Sequence, residues 1–180
     1  MNNEARQKCL SILERTEYYD DEGEWRIAGS DWLLISGSTL RSWAKVTEQI
    51  LDSRAETVMY MIGKHAGERF VKRLLKSGFK DEELKCALEI FLTNGGWGKV
   101  RARVNFQKQT AIVRIRNSVT TRRTKAKEPV CHFINGYVAG ALGVVFGKEI
   151  ECVETRCKAK GDAFCEFRVD ISSQNENCKS

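Results

Sequence analysis

The hydrophobic period of the chain changes along its length, and each change marks a different kind of element. From about Arg54 to Ser77, Val58, Met59, Ile62, Ala66, Phe70, Val71 and Leu74 recur at spacings of three and four. That is the period of an amphipathic helix, and Gly78 supplies a natural stop. Leu40, Trp43, Val46 and Ile50 predict a second helix over about residues 39–52, with Ser38 or Thr39 as its cap. A third helix is expected from Asp81 to Leu92, where an acidic first turn suits the positive end of the helix and Asn94-Gly95-Gly96 ends it. A short stripe of Ala5, Cys9, Ile12 and Leu13 predicts one more over residues 3–15.

After Gly98 the period drops to two. Val100, Ala102 and Val104 alternate with Lys99, Arg101 and Arg103, and Ala111, Val113 and Ile115 alternate with Ile112, Arg114 and Arg116. This predicts an antiparallel hairpin, turning near Gln107, with one apolar face. Upstream, Glu24–Ile27 and Trp32–Ser36 read as short strands, and Tyr18 to Gly23 as a turn. Asn117 to Lys127 reads as a polar loop. The stretch from Cys131 to Phe146 has apolar or small residues nearly all round, which predicts a buried helix. Gly136, Ala139, Gly140 and Gly143 would let it lie close to the sheet or to another helix, or would leave space. Two strands, Glu149–Thr155 and Phe164–Val169, follow around a turn at Lys160-Gly161-Asp162. The elements sum to an α+β fold, an antiparallel sheet of about four to five strands packed against several helices.

Composition narrows the class. The 180 residues fit one domain, read as 1–172 with a polar tail at 173–180. A hydrophobic content of 42% and one proline point to a folded chain. No apolar run reaches membrane-spanning length and the start MNNEARQK has no signal-peptide pattern, so a cytoplasmic location is expected. Seven cysteines, an odd number in a reducing compartment, favour metal ligation over a disulfide framework. Cys9, Cys86 and Cys152 read as small buried hydrophobes, Cys178 as exposed, and His65 as a partly buried structural histidine. The net charge is +6, and residues 98–127 carry Lys and Arg but no acid. That face reads as solvated. With no helix-turn-helix or aromatic-interleaved basic strand, nucleic acid is not an expected partner.

The clustered metal-competent residues are Cys131 at a helix start, Glu154 and Cys157 at the end of one strand, and Cys165 at the start of the next. A helix terminus packed on a hairpin brings such points together, and thiolates with one carboxylate suit zinc. Together with Pro129-Val130, Gly136-Tyr137, Ala139-Gly140, Glu154-Thr155-Arg156-Cys157, Lys160-Gly161-Asp162 and Cys165-Glu166-Phe167, they make the stretch resemble the 4-vinyl reductase domain. The match is closest over residues 97–170, with a weaker likeness of layout back to about residue 24. In phenol-sensing transcription regulators with this domain, three Cys and one Glu hold a zinc. The resemblance puts those ligands on Cys131, Glu154, Cys157 and Cys165. It also implies an apolar pocket between helices and sheet, frequent homodimers, and kinship with a vesicle-trafficking tether subunit that holds an acyl chain.

The same sensors hold the phenol hydroxyl with a His and a Trp, the Trp following an Asn-Ser-like pair. Here Asn117-Ser118 is followed by Val119, and no His lies near Phe91 to Asn94. An apolar or amphipathic small molecule is therefore expected in place of phenol. The candidate wall residues are Met59, Ile62, Phe70, Phe91, Trp97, Phe133 and Tyr137, above an inner sheet face of Val100, Val104, Val113 and Ile115. Four protein ligands fill a tetrahedral zinc, which reads as structural. Gly95-Gly96-Trp97-Gly98 lies between a helix and a strand, the reverse of a dinucleotide fingerprint, and no nucleophile–base arrangement stands out. The first reading is a zinc-stabilised, non-catalytic domain that binds or senses a small molecule. The alternatives are an enzyme or accessory protein for reduction of an apolar or tetrapyrrole-like substrate, and a protein-interaction adaptor.

Overall fold

From Thr16 to Asp170, strand pairing and helix packing divide the described residues into a small meander, three consecutive α-helices and a larger sheet crossed by a further helix. The structure is a computed structural model that describes residues 16–19, 21, 23–27 and 30–170, with positions 7, 10 and 11. Strands β1 (Thr16–Tyr19), β2 (Glu24–Ile27) and β3 (Ser30–Trp32) form an antiparallel meander. Helices α1 (Gly37–Leu51), α2 (Ala55–Lys76) and α3 (Asp81–Asn94) follow. Then come β4 (Lys99–Asn105), β5 (Thr110–Arg116), α4 (His132–Phe146), β6 (Val153–Arg156) and β7 (Cys165–Asp170). These last four strands make one antiparallel sheet in the order β4-β5-β7-β6.

The α+β architecture is the one the sequence predicts, with local departures. The strands fall into two sheets instead of one. Residues 16–19, where a turn was expected from Tyr18 on, pair with β2 in the register Tyr18↔Trp25. The strand expected to reach Ser36 ends at Trp32, because Ser36 caps α1, its Oγ accepting from the Thr39 backbone N–H at 3.1 Å. Of the helix expected over residues 3–15, only Gln7, Leu10 and Ser11 are described, and they are helical. Cys9, Cys178 and the tail lie outside the described residues. His65 is exposed, since the buried stripe of α2 runs through Gly63, Gly67, Phe70, Val71 and Leu74. Cys86 and Cys152 are buried.

The core is set by α2 and α4, which run side by side in the same direction. A Cβ at Gly63 would lie 1.9 Å from the Phe133 carbonyl oxygen, and one at Gly67 would lie 2.1 Å from that of Tyr137. From the other side, Gly136 and Gly140 face the carbonyl oxygens of Tyr60 and Lys64 at 1.9 and 2.0 Å. The glycines of α4 thus serve close packing and leave no space. The opposite side of α4 lies on the inner face of the sheet, where Val100, Val113, Ile115, Phe167 and Val169 are buried. At the β4 edge, two outward backbone donors are taken by α3: Val100 N–H by Thr93 Oγ1 at 3.1 Å and Ala102 N–H by Glu89 Oε1 at 2.6 Å. That pairing blunts an otherwise open edge.

On the outer face of the sheet the basic residues are not uniformly solvated. Glu166 is fully buried between Arg114 Nε at 2.6 Å, Arg168 Nε at 2.9 Å and Thr155 Oγ1 at 3.0 Å. Burial opposes ionisation of this carboxyl, but the two guanidinium groups and the hydroxyl outweigh it and hold it down at about 2. Arg114 and Arg156 also lie over the Phe164 ring, at 5.1 and 5.4 Å from its centroid.

Two outcomes follow from this packing. Gly140→Ala forces a Cβ onto a backbone oxygen that cannot move alone, so the helices must separate. Overpacking of this kind costs about 1–3 kcal/mol. The melting temperature should then drop by roughly 3–10 °C. For Glu166, a folded-state pKa below the unfolded value contributes stability that is present above the usual carboxylate range and lost as pH falls toward 2. Glu166→Gln should therefore lower the melting temperature at pH 7, and the gap to wild type should close between about pH 4.5 and 2.5. An unchanged gap across that range would show that Glu166 does not carry the effect.

Candidate metal centre and aromatic cleft

Three separate pieces of chain deliver the thiols and the carboxylate to one point. Cys131 is the residue before α4, and its backbone N–H donates to Glu154 Oε2 at 3.0 Å. Glu154 is opposite Phe167 across the β6–β7 ladder, on the inward face. A bulge at Thr155 then lets Arg156 pair with Glu166 on the outer face. Cys157 follows β6 and enters a tight turn, where Asp162 Oδ2 accepts its backbone N–H at 2.8 Å and Gly161 takes a left-handed φ of 109°. Cys165 opens β7, and the Lys158 backbone N–H donates to its sulfur at 3.5 Å. The motif Lys160-Gly161-Asp162 is therefore the turn that aims two candidate ligands.

The ligand atoms of Cys131, Glu154, Cys157 and Cys165 all lie within 4.8 Å of one another. Cys131 Sγ and Cys165 Sγ are 3.7 Å apart. A tetrahedral zinc with bonds near 2.3 Å requires S···S distances of about 3.8 Å. Glu154 Oε1 is buried with no hydrogen-bond partner among the described residues. An unpaired buried carboxylate oxygen is costly, and a cation at this point removes the cost. The residues thus fit a metal that takes sulfur and oxygen.

The ionisation pattern points the same way. Hydrogen bonds from the Cys131 and Cys165 thiols draw the Cys157 thiol far down, so it is the thiolate of the set. The same bond to Cys157 pushes the Cys131 thiol up. Cys165 is lowered by its bond to Cys131, but its bond to Cys157 and its burial prevail and raise it to about 11. Burial raises the Glu154 carboxyl to about 8. The residues 117–127, expected as a plain polar loop, wrap this cluster. Ser118 is fully buried and shares a hydrogen bond of 2.9 Å with Thr120, whose Oγ1 lies 3.2 Å from Cys131 Sγ. The Ala126 N–H donates to Ala159 O at 3.0 Å and ties the loop to the turn.

Five of the expected wall residues, Phe70, Phe91, Trp97, Phe133 and Tyr137, line one cleft of about 610 Å³. Phe70 and Phe91 lie 4.3 Å apart by ring centroids, and Trp97 stacks on Phe133 at 5.3 Å with planes 6° apart. Met59 and Ile62 do not line it, and Ile62 is 51% exposed. The void against the inner sheet face, beside Val100, Val104 and Val113, holds only about 30 Å³. That is room for about one water. The open space lies instead at the end of the helices, capped by Trp32 of β3 and edged by Arg69 and Arg73 of α2. The two arginines could have been found by extending the Ala66–Phe70 stripe of α2, but no signal in the sequence places Trp32 over Phe91 at 4.8 Å.

Comparison with known proteins places this geometry. Residues 111–171 match the family model of the 4-vinyl reductase domain. The resemblance seen in the sequence thereby holds, and the matched segment contains all four candidate ligands. The chain is 28% identical over 120 residues to an uncharacterised protein of Methanocaldococcus jannaschii, covering 66% of each. A second uncharacterised protein of that organism is 28% identical over 138 residues, 77% of this chain and 67% of the relative. The chain thus spans about two thirds of these relatives, and a third of another that is 40% identical over 53 residues. Among solved structures, the phenol-responsive sensory domain of the transcription activator PoxR with phenol superposes with a TM-score of 0.79 at 20% identity, covering 99% of this chain and 98% of that one. A vinyl-4-reductase family protein from Methanocaldococcus jannaschii gives 0.57 at 21% identity, covering 93% and 90%. A trafficking protein particle complex subunit 3 from Naegleria fowleri, covalently bound to palmitic acid, gives 0.55 at 17% identity, covering 74% and 93%. At these identities the likeness is one of fold. No described helix is long and apolar enough to cross a membrane.

Proposed function

We propose that this chain is a small-molecule-sensing domain of the 4-vinyl reductase type, stabilised by a structural zinc on Cys131, Glu154, Cys157 and Cys165. One observation carries the reading. Helix α4 begins at the metal cluster with Cys131, and two and six residues later Phe133 and Tyr137 form the wall of the aromatic cleft. The four-ligand cluster fixes the start of the element that shapes the cleft. The likeness of the fold to a phenol-responsive sensory domain supports the same assignment. With three thiolates and one carboxylate, zinc would supply a cross-link between helix and hairpin and no open position for chemistry. Phenol itself fits poorly. Val119 follows Ser118, and the cleft is lined by aromatic rings, with Asp31, Arg69 and Arg73 at its edge.

An adaptor reading draws on α1, which buries none of its residues. It leaves Trp43 52% and Ile50 71% exposed beside an 89% exposed Leu34. A patch of this kind marks an interaction face. The same face suits the homodimer that the resemblance implies, and native mass spectrometry of the purified protein reports subunit count, metal and ligand together.

The metal should be present at about one zinc per chain in protein purified without chelator. Cys157→Ser or Cys165→Ser should abolish it and lower the melting temperature, because binding energy at such sites is folding energy. Uptake of zinc by apoprotein at pH 7 should release about three protons, from Cys131, Glu154 and Cys165, since Cys157 is already a thiolate. Metal-free protein with an unchanged melting temperature would overturn the structural zinc. An apolar ligand should raise the melting temperature with concentration as mass action requires, and Phe133→Ala should remove that rise.

A further inference from the structure

The outer face of the four-stranded sheet is basic, and neither the cleft nor the cysteine cluster uses it. Side chains alternate across a sheet, so the neighbours of the buried Val100, Val113, Ile115 and Phe167 share this face. They stand in rows across the strands. Lys99 is opposite Arg116 in the first row. Arg101, Arg114, Glu166 and Arg156 make the second, and Arg103, Ile112, Arg168 and Val153 the third. All the cations of these rows are exposed, and the acids among them are Glu166 and, at the far end of β7, Asp170. We infer that this face docks the phosphate backbone of a double-stranded nucleic acid without reading its sequence.

Like charges directly opposite one another destabilise a sheet, and Lys99–Arg116 and Arg101–Arg114 are both such pairs. Compensation within the chain is partial. Arg101 reaches Glu89 of α3 at 3.6 Å, and Arg114 and Arg168 share Glu166. Lys99, Arg103 and Arg116 are left without an ion pair among the described residues. A polyanion across the rows turns their repulsion into attraction. The second observation is the way Glu166 holds its partners. This carboxylate is fully buried on a face that is otherwise open, and it accepts from the Nε–H of both Arg114 and Arg168. The terminal guanidinium nitrogens of both stay outside that contact, on side chains 44% and 52% exposed. A guanidinium held by Nε has its outer donors already ordered, and such donors match phosphate oxygens two at a time.

The shape of the face selects the occupant. Residues two apart on a strand are about 7 Å apart and strands about 4.8 Å apart, so the cations cover a plane and not a line. An acidic peptide strand would meet one row of it. A duplex wall, with one charge per about 1.7 Å of axis, meets all of them. Single strands are held by rings on which bases stack. The ring on this side, Phe164, is half-buried with Arg114 and Arg156 over it at 5.1 and 5.4 Å. A lipid surface is gripped by large apolar side chains as well as by charge. Here the outward apolar residues of the rows are the half-buried Ile112 and the edge residue Val153. The lack of a base-reading motif in the sequence concerns readout, and phosphate contacts position a duplex without it.

The test uses the full zinc-loaded chain and a fluorescein-labelled DNA duplex of about two helical turns, with binding read by anisotropy. The dissociation constant should lie between about 1 and 100 µM at physiological salt, and a duplex of a second sequence should bind equally. With about four phosphates neutralised, affinity should fall on the order of a hundredfold between about 50 and 200 mM salt. Arg103→Gln/Arg116→Gln should weaken binding at low salt by at least about tenfold and flatten the log–log salt slope by about two. Lys45→Gln/Lys76→Gln makes the same charge change on α1 and α2 and should leave both quantities nearly unchanged. Absence of binding at low salt, or equal loss in the two double variants, would overturn the inference. Tighter binding to the single strand of the same length, to polyglutamate or to phosphatidylserine vesicles would also overturn it, each in favour of a different occupant. Should the arginine variant lose its cooperative melting transition, the wild-type salt slope decides: one flatter than about −2 rejects the face.

Discussion

The contact between α2 and α4 is the constraint on which the other features depend. Four glycines, Gly63, Gly67, Gly136 and Gly140, bring two helix backbones close enough that no side chain fits between them. Glycine in a helix interior costs helical stability, so four of them in facing positions make sense only when the close approach returns more in packing. The approach has a geometric consequence. With α4 pressed against α2 on one side and seated on the sheet on the other, its residues between Ile134 and Leu142 are almost all buried. There is no depth left for a large internal cavity. The open volume is displaced to the end of the pair, where Phe133, Tyr137 and Phe70 meet α3, β3 and Trp97.

The cluster of Cys131, Glu154, Cys157 and Cys165 is the second fixed point, and it acts on the same helix. Cys131 caps nothing by its side chain, and no acidic residue occupies the first turn of α4. The usual devices that define a helix start are absent there. What defines it instead is the donation from the Cys131 N–H to Glu154, with the sulfur packed among Cys157, Cys165 and Thr120. A site of buried thiols and a half-satisfied carboxylate is a poor structural element without a cation and a strong one with it. The helix start, the bulge at Thr155 and the Gly161 turn are then one unit in three pieces of sequence.

The sequence disclosed elements better than it disclosed spaces. The repeat of Val58 to Leu74, the alternation of Val100 to Ile115 and the apolar run after Cys131 each have a period that only one secondary structure satisfies. The cluster of Cys131, Glu154, Cys157 and Cys165 was legible because the two cysteines flanking Lys160-Gly161-Asp162 and the Glu three residues upstream keep a fixed local spacing. The cleft was only half legible. Where the helical stripes carry aromatic residues, at Phe70, Phe91, Phe133 and Tyr137, the expected wall residues do line the cleft. Met59 and Ile62 lie on the same stripe of α2 but outside the cleft, because the glycine contact brings the two backbones together at that level and closes the space. The buried Ser118 read as loop because its partner Thr120 and the Cys131 sulfur beyond it are brought in by the tertiary fold, not by any local pattern.

A ligand in the cleft would meet two kinds of wall. On one side stand Phe133 and Tyr137, held by the glycine contact and by the cluster at the start of α4. On the other stands Trp32, from a three-stranded meander of short strands, followed directly by α1, which buries none of its residues. Local stability follows buried apolar contact, so the meander and α1 form the low-stability side and α4 the high-stability side. A binding event changes the element that is cheapest to change. Under the proposed function, filling the cleft would order Trp32 and β3, and with them the α1 that follows, against a fixed α4, with the cysteine cluster left in place. The exposed apolar face of α1, with Trp43 and Ile50, is the surface that such ordering would present or withdraw. Rigidity at Cys131 and compliance at α1 are in this sense one design: the first gives the second something to close against.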